Sequence, residues 1–246
     1  MASSFYMETA ISIIMVSMVI ERSEARIASK SRKNIIIYGR RKVGKTFMIK
    51  NFLDYDIYVF VKRGGGFLME GAPFRALDSY EQFLDLLSSW VREDKTVVID
   101  EFQRLPDEFL DSLQTLPEKG RIILTGSSLH IVKEVLSPRS PILGLYSDLK
   151  LSLIKPIDIL KGLLRYTDPI TAFELAPYLR DPWCIPYYGG KKISIADILL
   201  LSRESIKALI GEVFLEEDKK LTHMYELSLI HISEPTRPLY ISYAVF

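Results

Sequence analysis

Residues 39–46 read GRRKVGKT, a G-x-x-x-x-G-K-T spacing. Glycines at both ends let the backbone curl so that N–H groups converge on an anion, and a helix that follows adds the positive end of its dipole. In such a cradle the Lys45 amine reaches the β- and γ-phosphates of a nucleotide and the Thr46 hydroxyl ligates Mg²⁺. The candidate nucleotide contacts are Gly39, Arg40, Arg41, Lys42, Val43, Gly44, Lys45, Thr46 and the next residue, Phe47. Arg40 and Arg41 could either touch phosphate or face water. A second motif, Val97-Val98-Ile99-Asp100-Glu101, ends an apolar run on two carboxylates. Asp100 could hold Mg²⁺ through water. Glu101 could polarise the attacking water as a general base. A third run, 121–125, ends in Gly126-Ser127-Ser128. If that strand lies between the two motif strands, a hydroxyl at its end could sense the γ-phosphate. Thr125, Ser127 and Ser128 compete for the role, and any of them could instead cap the helix expected next. Ser127 completes the contact set. Catalysis is thus assigned to Glu101 and Lys45, and the metal to Thr46 and Asp100.

These residues need a sheet whose strands end together. Short apolar or β-branched runs at 35–38, 57–61, 96–99, 121–125 and 149–153 read as strands. Helical spacing marks 47–52, 79–91, 107–116 and 129–136. Strands alternating with helices predict an α/β fold, three layers with a parallel central sheet. After Lys155 the strands cease. Helices are expected from Pro156, over 169–179 with a kink at Pro177, and over 193–201 and 203–214. The expected division is an N-terminal helical arm (1–34), a core (35–154), a helical lid (155–193) and further helices (194–226).

Composition narrows the function classes. Lys and Arg total 32 against 31 Asp and Glu, a net charge of +1. That excludes a basic nucleic-acid coat or an acidic disordered tail as a description of the whole chain. Cys184 is the only cysteine, which excludes an internal disulfide and a cysteine zinc cluster and points to a reducing, cytoplasmic setting. The three histidines are too scattered to suggest a metal site. Residues 10–20, AISIIMVSMVI, fall short of the roughly 20 needed to span a bilayer. No positive region precedes them. They read as a buried or partner-facing helix, and no membrane contact is expected. Residues 227–237, LSLIHISEPTR, and 241–246, ISYAVF, look like translated sequencing adapter, with 238–240 as the barcode between. They are left out of the fold reading, which takes Glu226 as the last authentic residue.

By IIIYGRRKVGKT, TVVIDEFQRLP, RIILTGSSLHIVKEVL and SPILG the chain resembles the archaeal ATPase family, in the AAA+/STAND branch of P-loop NTPases. The segments 180–190, RDPWCIPYYGG, and 211–226, GEVFLEEDKKLTHMYE, are similar to it more weakly. The resemblance implies an ATP-dependent switch or motor domain, a helical lid, and then a winged-helix domain beginning near Tyr225, which would be missing here if the adapter reading from Leu227 holds. ATP rather than GTP is also favoured by the absence of an N-K-x-D motif. Relatives open with an acidic and basic helix, where this chain has the apolar 10–20 segment. They also commonly carry an arginine where Leu145 stands. Arg139 is a candidate arginine finger, and a homo-oligomer would be the way to supply one between subunits.

Three functions follow from this reading. One is a Mg²⁺-dependent ATPase switch. The second is a nucleotide-gated binding module with little turnover. The third is the ATPase part of a DNA-associated effector. Lys191-Lys192 and the run 30–33 are too short to argue for nucleic-acid binding, so any DNA contact is expected from a missing C-terminal region.

Overall fold

The strands at 35–38, 57–61, 96–100 and 121–126 are mostly apolar because both of their faces are covered. The computed structural model describes residues 18–72, 76–117, 119–127, 135, 137–138 and 140–188. The chain divides into two compact units, Met1–Arg203 and Glu204–Phe246, and every described residue belongs to the first. The expected helices at 193–201 and 203–214, nearly all of that at 129–136, and the tail from 227 lie outside the described residues.

The strands are β1 (Ile35–Tyr38), β2 (Ile57–Val61), β3 (Phe67–Glu70), β4 (Ala76–Leu77), β5 (Thr96–Asp100), β6 (Arg121–Gly126) and β7 (Ser147–Lys150). They form one sheet in the order β4-β3-β2-β5-β6-β1-β7. From β2 to β7 every pairing is parallel, whereas β3 and β4 are antiparallel. The sheet is therefore mixed rather than wholly parallel. The hairpin escaped the sequence reading because β3 alternates buried and exposed residues over only four positions, just after three glycines. The last strand also differs, lying at Ser147–Lys150 rather than 149–153. Its register is set from β1, since Ser147 N–H donates to Asn34 O at 2.9 Å and Ile35 pairs with Ser147. The more apolar residues that follow leave the edge and are buried at Leu151 and Ile154.

Neighbouring side chains of each strand enter opposite cores. Ile36, Val97, Ile99, Ile122 and Leu124 pack with Phe83, Leu87 and Trp90 of α3 (Tyr80–Arg92) and Phe109 and Leu113 of α4 (Glu108–Gln114). Ile35, Ile37, Val98 and Ile123 pack on the other face with Ala25 and Ala28 of α1 (Ser23–Lys30) and Met48 and Ile49 of α2 (Lys45–Phe52). Three layers result, as expected. α1, SEARIASK, carries Glu24 in its first turn and Lys30 in its last.

The helices that follow β7 have their own core. Ile159 and Leu163 of α5 (Pro156–Leu163) meet Ala172 and Leu175 of α6 (Pro169–Leu175), with Leu179, Cys184 and Ile185, the first residue of α7 (Ile185–Tyr188). Proline occupies the first turn of α5 and of α6, and Asp168 caps α6 by accepting from Ile170 and Thr171 N–H at 3.0 and 3.1 Å. α6 stops at Leu175 instead of kinking on to 179. Pro177, which has no N–H to continue the ladder, leads into a separate 3₁₀ turn, Tyr178–Arg180. Met18 and Ile20 are buried in this same core, but residues 18–20 are not helical, and 10–17 lie outside the described residues. Among the described residues no helix is long and apolar enough to cross a membrane.

Candidate functional site

The parallel register brings three strand ends to one edge. Tyr38 at the end of β1 pairs with Gly126 of β6, and Thr125 pairs with Asp100 of β5. β6 thus lies between the two motif strands, as the sensor reading required. Ligands of open α/β sheets gather at these carboxyl ends. Leaving β1, Gly39 adopts φ +151°, and a Cβ there would sit 2.1 Å from Leu151 O, so only glycine fits. Gly44, in the left-handed region at φ +88°, turns the loop into α2. Lys45, the first residue of that helix, is buried, and its ammonium donates to Gly39 O at 2.7 Å and Arg40 O at 2.9 Å. The amine is thereby folded back across the mouth of its own loop.

Asp100 is almost wholly buried. Its Oδ2 accepts from Thr46 Oγ1 at 2.7 Å and from the Tyr58 hydroxyl, while Oδ1 has no partner among the described residues. An unsatisfied buried carboxylate oxygen is costly, and a donor or a cation at Oδ1 would relieve that cost. No group of three or more His, Cys, Asp or Glu among the described residues could cage a metal. One carboxylate and one hydroxyl instead suit Mg²⁺, which takes few protein ligands and keeps its waters and substrate phosphates.

Glu101 stands in left-handed backbone at φ 62°, a strained conformation for a non-glycine residue. Its carboxylate is held from several sides. Arg104 Nη2 lies 2.8 Å from Oε2, Gln103 Nε2 donates to Oε2 at 2.8 Å, and Ser127 Oγ approaches Oε1 at 3.5 Å. Arg104 is anchored in turn by donation to Val61 O at 2.6 Å and by its place over the Phe60 ring. The buried Thr125 Oγ1 and Gln103 Oε1 have no partner among the described residues.

Residues before β1 and after β7 also reach the loop between β1 and α2. Arg40 forms an ion pair with Asp181, so it neither stands free in water nor points only at phosphate. Pro182 lies 3.4 Å from where a Gly44 Cβ would be. Buried Arg22 donates to Val43 O at 2.7 Å and to Ser152 O at 2.5 Å. Burial lowers its pKa, and the charges of Glu24 and Asp158 partly restore it.

The structure therefore brings Gly39 to Thr46, Asp100, Glu101 and Ser127 together. Phe47 is half exposed and edge-on to Phe52, 6.4 Å between ring centroids. Ser128 and Arg139 lie outside the described residues. Leu145 is exposed. Sequence reading missed Arg22, Tyr58, Gln103, Arg104 and Asp181. Only Gln103 and Arg104 left a local trace, close behind Glu101 in the quoted EFQR.

Residues 31–147 match the model of a family described as an AAA domain. No curated protein matches the chain. Among solved structures, the chain is similar to a Signal Transduction ATPase with Numerous Domains (STAND) protein with a tetratricopeptide repeat sensor from Pyrococcus horikoshii. That alignment has 16% identity and a TM-score of 0.49, covering 92% of this chain and 38% of the other. It is also similar to the Orc1 protein of Aeropyrum pernix, solved in complex with DNA, at 17% identity and a TM-score of 0.43, covering 92% and 76% of the two chains. The chain thus spans well under half of the STAND protein. The family match runs from just before β1 to the first residue of β7 and encloses all three strand-end motifs, so the part of the chain that is similar to an AAA domain is the part that carries the site.

Proposed function

We propose that the chain is a Mg²⁺-dependent ATPase switch. The observation that carries this is Asp100, buried, bonded to Thr46 through Oδ2 and unsatisfied at Oδ1. On nucleotide binding, Lys45 exchanges the Gly39 and Arg40 carbonyls for phosphate oxygens. Backbone N–H groups of the loop and of the first turn of α2 face the same anion. Thr46 and Asp100 would hold Mg²⁺, which neutralises charge across the phosphates. Glu101 accepts the proton of the attacking water. To do so it must let go of Arg104 and Gln103, so turnover is coupled to a rearrangement at the end of β5.

The same contacts favour a second reading. A Glu101 kept on Arg104 would make the domain a nucleotide-gated binding module with slow turnover. Phosphate release from ATP, measured over a range of protein concentrations, separates the two. Mg²⁺-dependent release that EDTA stops, with a specific rate rising with protein concentration, is expected for a switch completed by a neighbour's arginine. Slow release independent of concentration assigns the second reading. No release above the protein-free background overturns the ATPase.

A further inference from the structure

We infer that Tyr58 is the positioning residue of the metal-binding carboxylate: its hydroxyl fixes Asp100 so that Oδ1 faces the cation. This rests on the Mg²⁺-nucleotide reading above and adds a residue that no motif marks. Tyr58 lies on β2, which pairs directly with β5; Tyr58 is opposite Val98 and Phe60 is opposite Asp100. From there its side chain enters the core shared with α2, where it is buried. The hydroxyl donates to Asp100 Oδ2, the oxygen that Thr46 also uses, while Oδ1 is left open. Two donors on one oxygen lock the rotation of the carboxylate and choose which oxygen is offered.

The two donors are not equivalent. Thr46 stands in the first turn of α2 and is itself the second protein group offered to the cation, so its bond to Asp100 is given up when the cation is held. Tyr58 stays, because its ring is fixed by burial, by Tyr55 at 5.8 Å between centroids, and by the Lys50 ammonium 4.4 Å from its own centroid. Lys50 is held at 2.6 Å by Glu70 of the unexpected hairpin, which gives that edge of the sheet a part in the site.

The test is Tyr58→Phe, which removes one oxygen, read by Mn²⁺ titration in the presence of ADP with free Mn²⁺ followed by electron paramagnetic resonance. Partners that orient a metal ligand from behind typically control metal affinity by tenfold or more, so Y58F is expected to weaken Mn²⁺ binding about tenfold. ADP binding in EDTA is expected to stay as in the wild type. In an Asp100→Asn background, Y58F should have no further effect on Mn²⁺. Unchanged Mn²⁺ affinity, a parallel loss of metal-free ADP binding, an added effect in the D100N background, or failure of Y58F to fold would each overturn the assignment. A wild-type chain that binds no Mn²⁺ with ADP overturns the nucleotide reading as well, whereas wild-type binding with an unaltered Y58F overturns this inference alone.

Discussion

Lys45→Ala is expected to abolish ATP binding at concentrations that saturate the wild type. Lys45 sits at the first position of α2, buried, with its ammonium on the carbonyls of Gly39 and Arg40. Both acceptors belong to the loop that must close on phosphate, so the amine is already at the site and needs only to change partners. Removing one member of a desolvated charged contact costs about 3 kcal/mol, which is at least a hundredfold in affinity. The fold should survive, because the sheet and its two cores are built from other residues. Equilibrium binding of a fluorescent ATP analogue, beside circular dichroism of both proteins, checks this. An unfolded variant would show loss of both signals, whereas the expected result is loss of binding alone.

Glu101→Gln is expected to keep ATP binding and to lower turnover about a thousandfold, the range of a lost general base. The amide retains the size and one of the two acceptor oxygens, which Gln103 meets at Oε2 and Ser127 at Oε1, but it cannot take a proton. It also loses the charge that holds Arg104, so the 3₁₀ turn Phe102–Arg104 loses one of its ties to Glu101. Single-turnover phosphate release with ATP bound separates binding from chemistry. If E101Q still turns over at the wild-type rate, Glu101 is not the base and the strained backbone at this position serves another purpose.

Much of the fold was legible because its strands are short, apolar and buried on both faces. β1 and β2 fall where the sequence pattern put them, at Ile35–Tyr38 and Ile57–Val61. β7 was displaced because Ser147–Lys150, SDLK, is a polar edge strand whose place comes from pairing with β1 and not from its own pattern. β3 and β4 were missed because strands of four and two residues at the opposite edge leave almost no periodicity. The site divides in the same way. Lys45, Thr46, Asp100 and Glu101 lie in two linear motifs whose spacing is itself the chemistry. Tyr58 reaches Asp100 only because β2 and β5 are neighbours, and Arg22 and Asp181 reach the loop from segments before β1 and after β7. Contacts of that kind arise from topology, and no local spacing carries them.

The most direct test of the central claim is calorimetric titration of ATP into the wild-type chain, with Mg²⁺ and with EDTA. One nucleotide per chain, bound more tightly when Mg²⁺ is present, is the result expected from the loop around Lys45 and the open oxygen of Asp100. Absence of saturable binding under both conditions, or binding that Mg²⁺ does not affect, would contradict the reading of Thr46 and Asp100 as the metal-holding pair.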